Sequence, residues 1–155
     1  MTAQVWIAIL VGLAAIVDDL RRRHIANWIP AAALAGGFGW QIGSNGWMGS
    51  LYALAGAAAG FSVFLIFYLL GGMGGGDVKL MAGFGALLGT GGILWAALWT
   101  AAAGGVLALL AIALKSARRW WRKETDGERS GEQKESIPYA PAIALGVWLS
   151  LVPKG

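Results

Sequence analysis

The stretch that decides the fold is Val78–Leu114, VKLMAGFGALLGTGGILWAALWTAAAGGVLALLAIAL, in which Lys79 is the single charged residue. As one helix it would run about 55 Å at 1.5 Å per residue, well beyond the roughly 30 Å of a bilayer's hydrocarbon core. Gly89-Thr90-Gly91-Gly92 is the natural break, because glycine is a poor residue for a helix interior. Dividing there gives helices at 78–89 and 92–114. Working outward, apolar runs predict further helices at 1–17, 25–43, 47–70 and 137–152. Ser44-Asn45-Gly46 reads as a turn, and Gly71–Asp77 is too glycine-rich for a stable helix. The segment 115–136 mixes both charge signs without apolar periodicity and reads as a loop. Pro138 and Pro141 suit the first turns of the last helix, and Pro153 stops it. The sequence therefore predicts a single domain over residues 1–155, an all-α integral membrane protein of about six transmembrane helices.

Composition supports a membrane rather than an aqueous setting. Hydrophobic residues make up 57% of the chain and charged ones 13%, too few to cover a soluble surface. Nine Trp suit helix ends that sit among lipid headgroups. The first apolar run is not a removable leader, since its basic residues, Arg21–Arg23, follow it instead of preceding it. The chain has no Cys, which excludes disulfides, thiolate metal sites and a thiol nucleophile. No metal, cofactor or nucleic acid is expected, because the net charge of +4 comes from residues just outside apolar segments. With six helices, every Lys and Arg except Lys154 falls on one side. The positive-inside rule makes that side the cytoplasm and puts both termini outside. Five helices would split the basic residues between the two sides.

Three carboxylates stand apart from the polar loop: Asp18, Asp19 and Asp77. All lie where an apolar helix meets the cytoplasmic surface, where an acid is costly enough to point to function. They come from two separate segments, which helix packing can bring together. Two carboxylates sharing a site do not both ionise easily, so one keeps a proton while the other acts as base. Such a pair can activate water against an amide carbonyl and then protonate the departing amine. The plainer reading pairs these aspartates with Arg21–Arg23 at a helix end. Neighbours on a helix point about 100° apart, so only one of Asp18 and Asp19 should face Asp77, and residue physics leaves open which. Gly74, Gly75 and Gly76 would allow a peptide to approach closely and the backbone to take unusual φ/ψ values. Lys79 is expected to reach toward headgroups. His24, the only histidine, reads as a solvated residue or a general base.

Asp19-Leu20-Arg21-Arg22-Arg23-His24-Ile25-Ala26-Asn27-Trp28 resembles the first signature of the type IV prepilin peptidases, and Gly74-Gly75-Gly76-Asp77-Val78-Lys79-Leu80 resembles their Gly-x-Gly-Asp signature. Ile137–Gly146 looks like the segment that opens their last helix. The resemblance implies a membrane aspartic endopeptidase with Asp19 and Asp77 as the catalytic pair. It selects Asp19 over Asp18 by the spacing to the first basic residue. It matches Asn27, expected to bond backbone at the start of helix two, and departs at Ala26, where the family usually has Pro. The short chain without Cys resembles the peptidase-only branch associated with tight-adherence or Flp-type pili. Implied partners are prepilin or pseudopilin precursors with a basic leader, a cleavage-site Gly and an apolar helix, together with membrane lipid. The implied location is the bacterial cytoplasmic (inner) membrane, with the site at its cytoplasmic face. Two other classes fit the bare residues: a proton-coupled membrane transporter component and a non-catalytic pilus-assembly subunit.

Overall fold

The computed structural model describes residues 2–71, 73–121 and 139–152. These form five helical runs: α1 (Ala3–Arg22), α2 (Trp28–Asn45), α3 (Trp47–Leu69), α4 (Gly75–Trp121) and α5 (Ala140–Ser150). No strand occurs among the described residues. Most of the segment expected as a loop, with Pro138 and Pro153, lies outside them.

Two helices run further than apolarity alone predicts. α1 continues past residue 17 through both aspartates to Arg22. Its last turn carries Arg21 and Arg22, which complement the negative end of the helix dipole. It ends at Arg23, which adopts the left-handed conformation at φ 51° and donates its N–H to the Asp19 carbonyl at 2.8 Å. α4 likewise continues beyond Leu114 to Trp121, so residues 115–121 are helical where the sequence predicts loop. α5 is shorter than expected, with Pro141 in its first turn.

α4 is interrupted at Gly89, whose φ of 69° and ψ of −179° are not helical. The chain doubles back there. A Cβ on Gly60 would meet both the Met81 carbonyl and the Ile93 side chain, the latter at 3.2 Å. Those two positions would stand about 18 Å apart along a straight helix. Such a break deprives carbonyls in the preceding turn of their helical donors. The Leu87 carbonyl is satisfied instead by Gln4 Nε2 at 3.0 Å and Gln41 Nε2 at 3.3 Å. Asn45 in turn donates to Gln41 Oε1 at 2.9 Å.

The two limbs of α4 form the centre of the bundle, with α2, α3 and α5 packed around them and α1 seated against α5 and α2. Phe84, Leu80, Met81, Leu87 and Ile93 of α4 are fully buried with Ile29, Ile143 and Val147. Without a hydrophobic drive between helices in lipid, close packing at small residues does the joining. Gly56 of α3 and Gly85 of α4 illustrate this, since a Cβ on either would run into the other's carbonyl oxygen. Large apolar side chains face outward instead, among them Trp6, Leu10, Leu54, Ile66, Leu98 and Leu109.

Among the described residues, three helices are long and apolar enough to cross a membrane: Ala3–Arg22, Trp47–Leu69 and Gly75–Leu114. That is fewer than the six spans expected from sequence. α5 has 11 residues and reaches only about 16 Å. α2 carries Gln41, Ser44 and Asn45 in its last turns, and these dilute its apolar run.

Candidate active site

Asp19 and Asp77 come together at one pole of the bundle. Each is 7% exposed, and both line a single cleft of about 390 Å³.

Local folding explains both placements. Asp19 sits in the last turn of α1 on the face turned toward α5. Its Oδ2 accepts the N–H of Ala140, the first residue of α5, at 3.1 Å. That amide is one of the donors a helix N-terminus leaves without an internal partner. Asp77 is the third residue of α4, and its Oδ2 reaches back to the N–H of Gly74 at 3.1 Å. This is the acidic half of a capping box. Both acids are therefore fixed through one oxygen by a backbone amide at a helix start. Neither Oδ1 has a hydrogen-bond partner among the described residues.

Asp18 is employed elsewhere. Its Oδ2 accepts the N–H of Ala26 at 2.7 Å, and its Oδ1 pairs with Arg22 Nε at 3.3 Å. It staples the turn between α1 and α2 and does not line the cleft. The ion pairing considered for all three aspartates is thus found at Asp18.

The glycine run is largely regular in backbone. Gly75 and Gly76 are helical, and positive φ among the described residues of this loop occurs at Gly71, at 75°. Gly76 is instead a point of close approach: a Cβ there would stand 3.1 Å from Ile25 Cβ. Gly74, Gly75 and Gly76 all line the cleft. Asn27 makes no side-chain cap for α2. It accepts a hydrogen bond from Lys79 Nζ at 3.0 Å, which ties the two signature segments together. Lys79 is exposed and lines the cleft with Arg23 and His24. Sequence reasoning missed Tyr68, which also lines it; a lone aromatic near the end of an apolar helix carries no signal for such a role. Among the described residues, no three His, Cys, Asp or Glu side chains gather as metal ligands.

An all-helical chain with long apolar helices, carrying two buried aspartates on separate helices at one cleft, has the layout of a membrane-embedded acid–base enzyme. The profile of the type IV leader peptidase family matches residues 6–109, and the chain belongs to that family. The matched region contains both aspartates and both limbs' contacts around Gly89, and it ends before α5. Neither the curated proteins nor the solved structures contain a significant match.

Proposed function

We propose that the protein is an aspartic endopeptidase that removes the basic leader from prepilin or pseudopilin precursors at the cytoplasmic face of a bacterial inner membrane. The observation that supports this reading is the pair of buried carboxylates that line one cleft, each anchored through one oxygen by a backbone amide. Water held between the two carboxylates gives its proton to the ionised member as its own oxygen attacks the scissile carbonyl. The protonated member donates to the carbonyl oxygen, and collapse of the tetrahedral species passes a proton to the leaving amine. The two acids act as a unit, so neither is assigned a fixed role. The bundle crosses the membrane six times in this reading, with both ends outside, and the short helices are covered by their neighbours.

The test is incubation of purified protein with a prepilin and detection of a shortened product. Asp19→Asn and Asp77→Asn should each lower the rate by about 10²- to 10⁴-fold, because each removes a proton-transfer group while keeping the side-chain shape. Normal cleavage by both variants would sink the mechanism.

A further inference from the structure

Beside the aspartate cleft lies a second cavity of about 240 Å³, lined by Phe64 and Phe67 of α3, by Met73, by Thr100, Ala101 and Gly105 of α4, and by Tyr139; Thr100 is its one aliphatic hydroxyl, buried without a partner among the described residues. It carries no charged residue. Two pairs of consecutive residues divide the two spaces between them, and a third cavity residue adjoins an anchor of the site. Phe67 lines the apolar cavity and Tyr68 the cleft. Met73 lines the cavity and Gly74 the cleft, where it holds Asp77. Tyr139 lines the cavity, and its neighbour Ala140 holds Asp19. The cavity and the catalytic cleft therefore share a wall, and that wall is built from the segments that anchor the two acids.

We infer that this cavity is a specificity subsite that receives the first large apolar side chain following the scissile bond. The inference rests on the peptidase reading above. Size allows it, since an apolar cavity of about 150 Å³ already accepts benzene. Chemistry favours an apolar occupant: Arg23, His24 and Lys79 flank the aspartates, whereas aromatic rings, Met73 and small residues, with the single hydroxyl of Thr100, form the neighbouring space. A peptide lying across the shared wall must change from polar to apolar near the bond that is cut. Gly105 is exposed, so the cavity opens on the outer apolar face of the bundle, from which a membrane-embedded segment arrives. Small residues at 101 and 105 keep the space open.

The experiment uses the full chain in detergent and two synthetic peptides. Each has a polar basic leader, a Gly at the cut and about 20 apolar residues after it, enough to span a bilayer. They differ only in the residue after the Gly, which is Leu in one and Ala in the other. The wild type should favour the Leu peptide in kcat/KM by about tenfold or more, the discrimination a few buried methylenes supply. Gly105→Leu adds bulk at a lining position where a Cβ meets nothing within 4 Å. That variant should reduce the Leu-to-Ala ratio about tenfold, and Ala101→Leu should do so independently. An unchanged ratio in both variants overturns the subsite. So does equal slowing of the two peptides, which would make the cavity a lipid or packing feature. If the wild type cuts neither peptide, the peptidase reading fails first and takes this inference with it.

Discussion

Asp18 and Asp19 differ by one position and about 100° of helix rotation, and that rotation decides their chemistry. Asp19 turns inward to the Ala140 amide, while Asp18 turns to the Ala26 amide and Arg22. The Ala26 bond bears on the departure noted in the sequence. A proline there, the residue usual in the family, has no N–H to donate. Asp18 and Ala26 thus form one device that holds the turn after α1, where a ring would otherwise stiffen it. Asp18→Ala should destabilise the protein by about 1–2 kcal/mol, since it leaves that amide unpaired. In an Ala26→Pro background the same change should cost almost nothing, a coupling that a double-mutant cycle by detergent unfolding would measure. Asp18→Asn, which keeps an acceptor oxygen, should cleave substrate within a few-fold of the wild type. Loss of cleavage in Asp18→Asn with Asp19→Asn active would mean that the partner of Asp77 is the wrong aspartate. From residues alone the choice stayed open. Resemblance named Asp19, and only packing shows what holds each acid in place.

At the scale of elements, the density of glycine between residues 89 and 92 made the break in the long apolar stretch legible, but not which glycine bends. The residue is Gly89, whose φ of 69° with ψ of −179° is open essentially to glycine alone. Gly91 lies two positions on in helical backbone, where a Cβ would meet nothing within 4 Å. Gly89→Ala should therefore destabilise by about 1–3 kcal/mol, whereas Gly91→Ala should be neutral or stabilise by up to about 1 kcal/mol. Thermal unfolding followed by Trp fluorescence distinguishes them, and equal effects would refute the assignment of the turn. Helix ends were harder to read for a physical reason. A helix need not stop where the hydrocarbon stops, and Arg, Lys and Ala are good helix formers in water. That is how α1 carries Asp18 and Asp19 inside its last turn and α4 continues through Lys115 and Arg118. Tyr68 and the Ala140 amide were illegible because their roles exist only once α3 and α5 dock against the aspartates.

The whole molecule has two unlike poles, and the proposed orientation rests on the difference. One pole holds Arg21–Arg23, Lys79 and the aspartate cleft. The other gathers Gln4, Gln41 and Asn45 around the Leu87 carbonyl, beside the turns at Gly46 and Gly89, and no Lys, Arg, Asp or Glu occurs among residues 41–47 or 87–92. The positive-inside rule assigns the charged pole to the cytoplasm. Because the chain has no Cys, single cysteines test this without background. Gly43→Cys and Gly91→Cys, at open positions on the uncharged pole, should react in intact cells with a membrane-impermeant thiol reagent. Leu70→Cys and Ser116→Cys, both exposed, should react only after the cytoplasmic side is opened. The comparison of positions 91 and 116 carries most weight, since it asks whether α4 returns across the bilayer after Gly89. Labelling of Ser116→Cys from outside, with Gly91→Cys protected, would overturn the assigned orientation. Labelling of both from outside would mean that the second limb of α4 does not cross. With 91 open to the outside and 116 protected, α4 crosses twice, and both aspartates stand on the side where a cytoplasmic leader arrives.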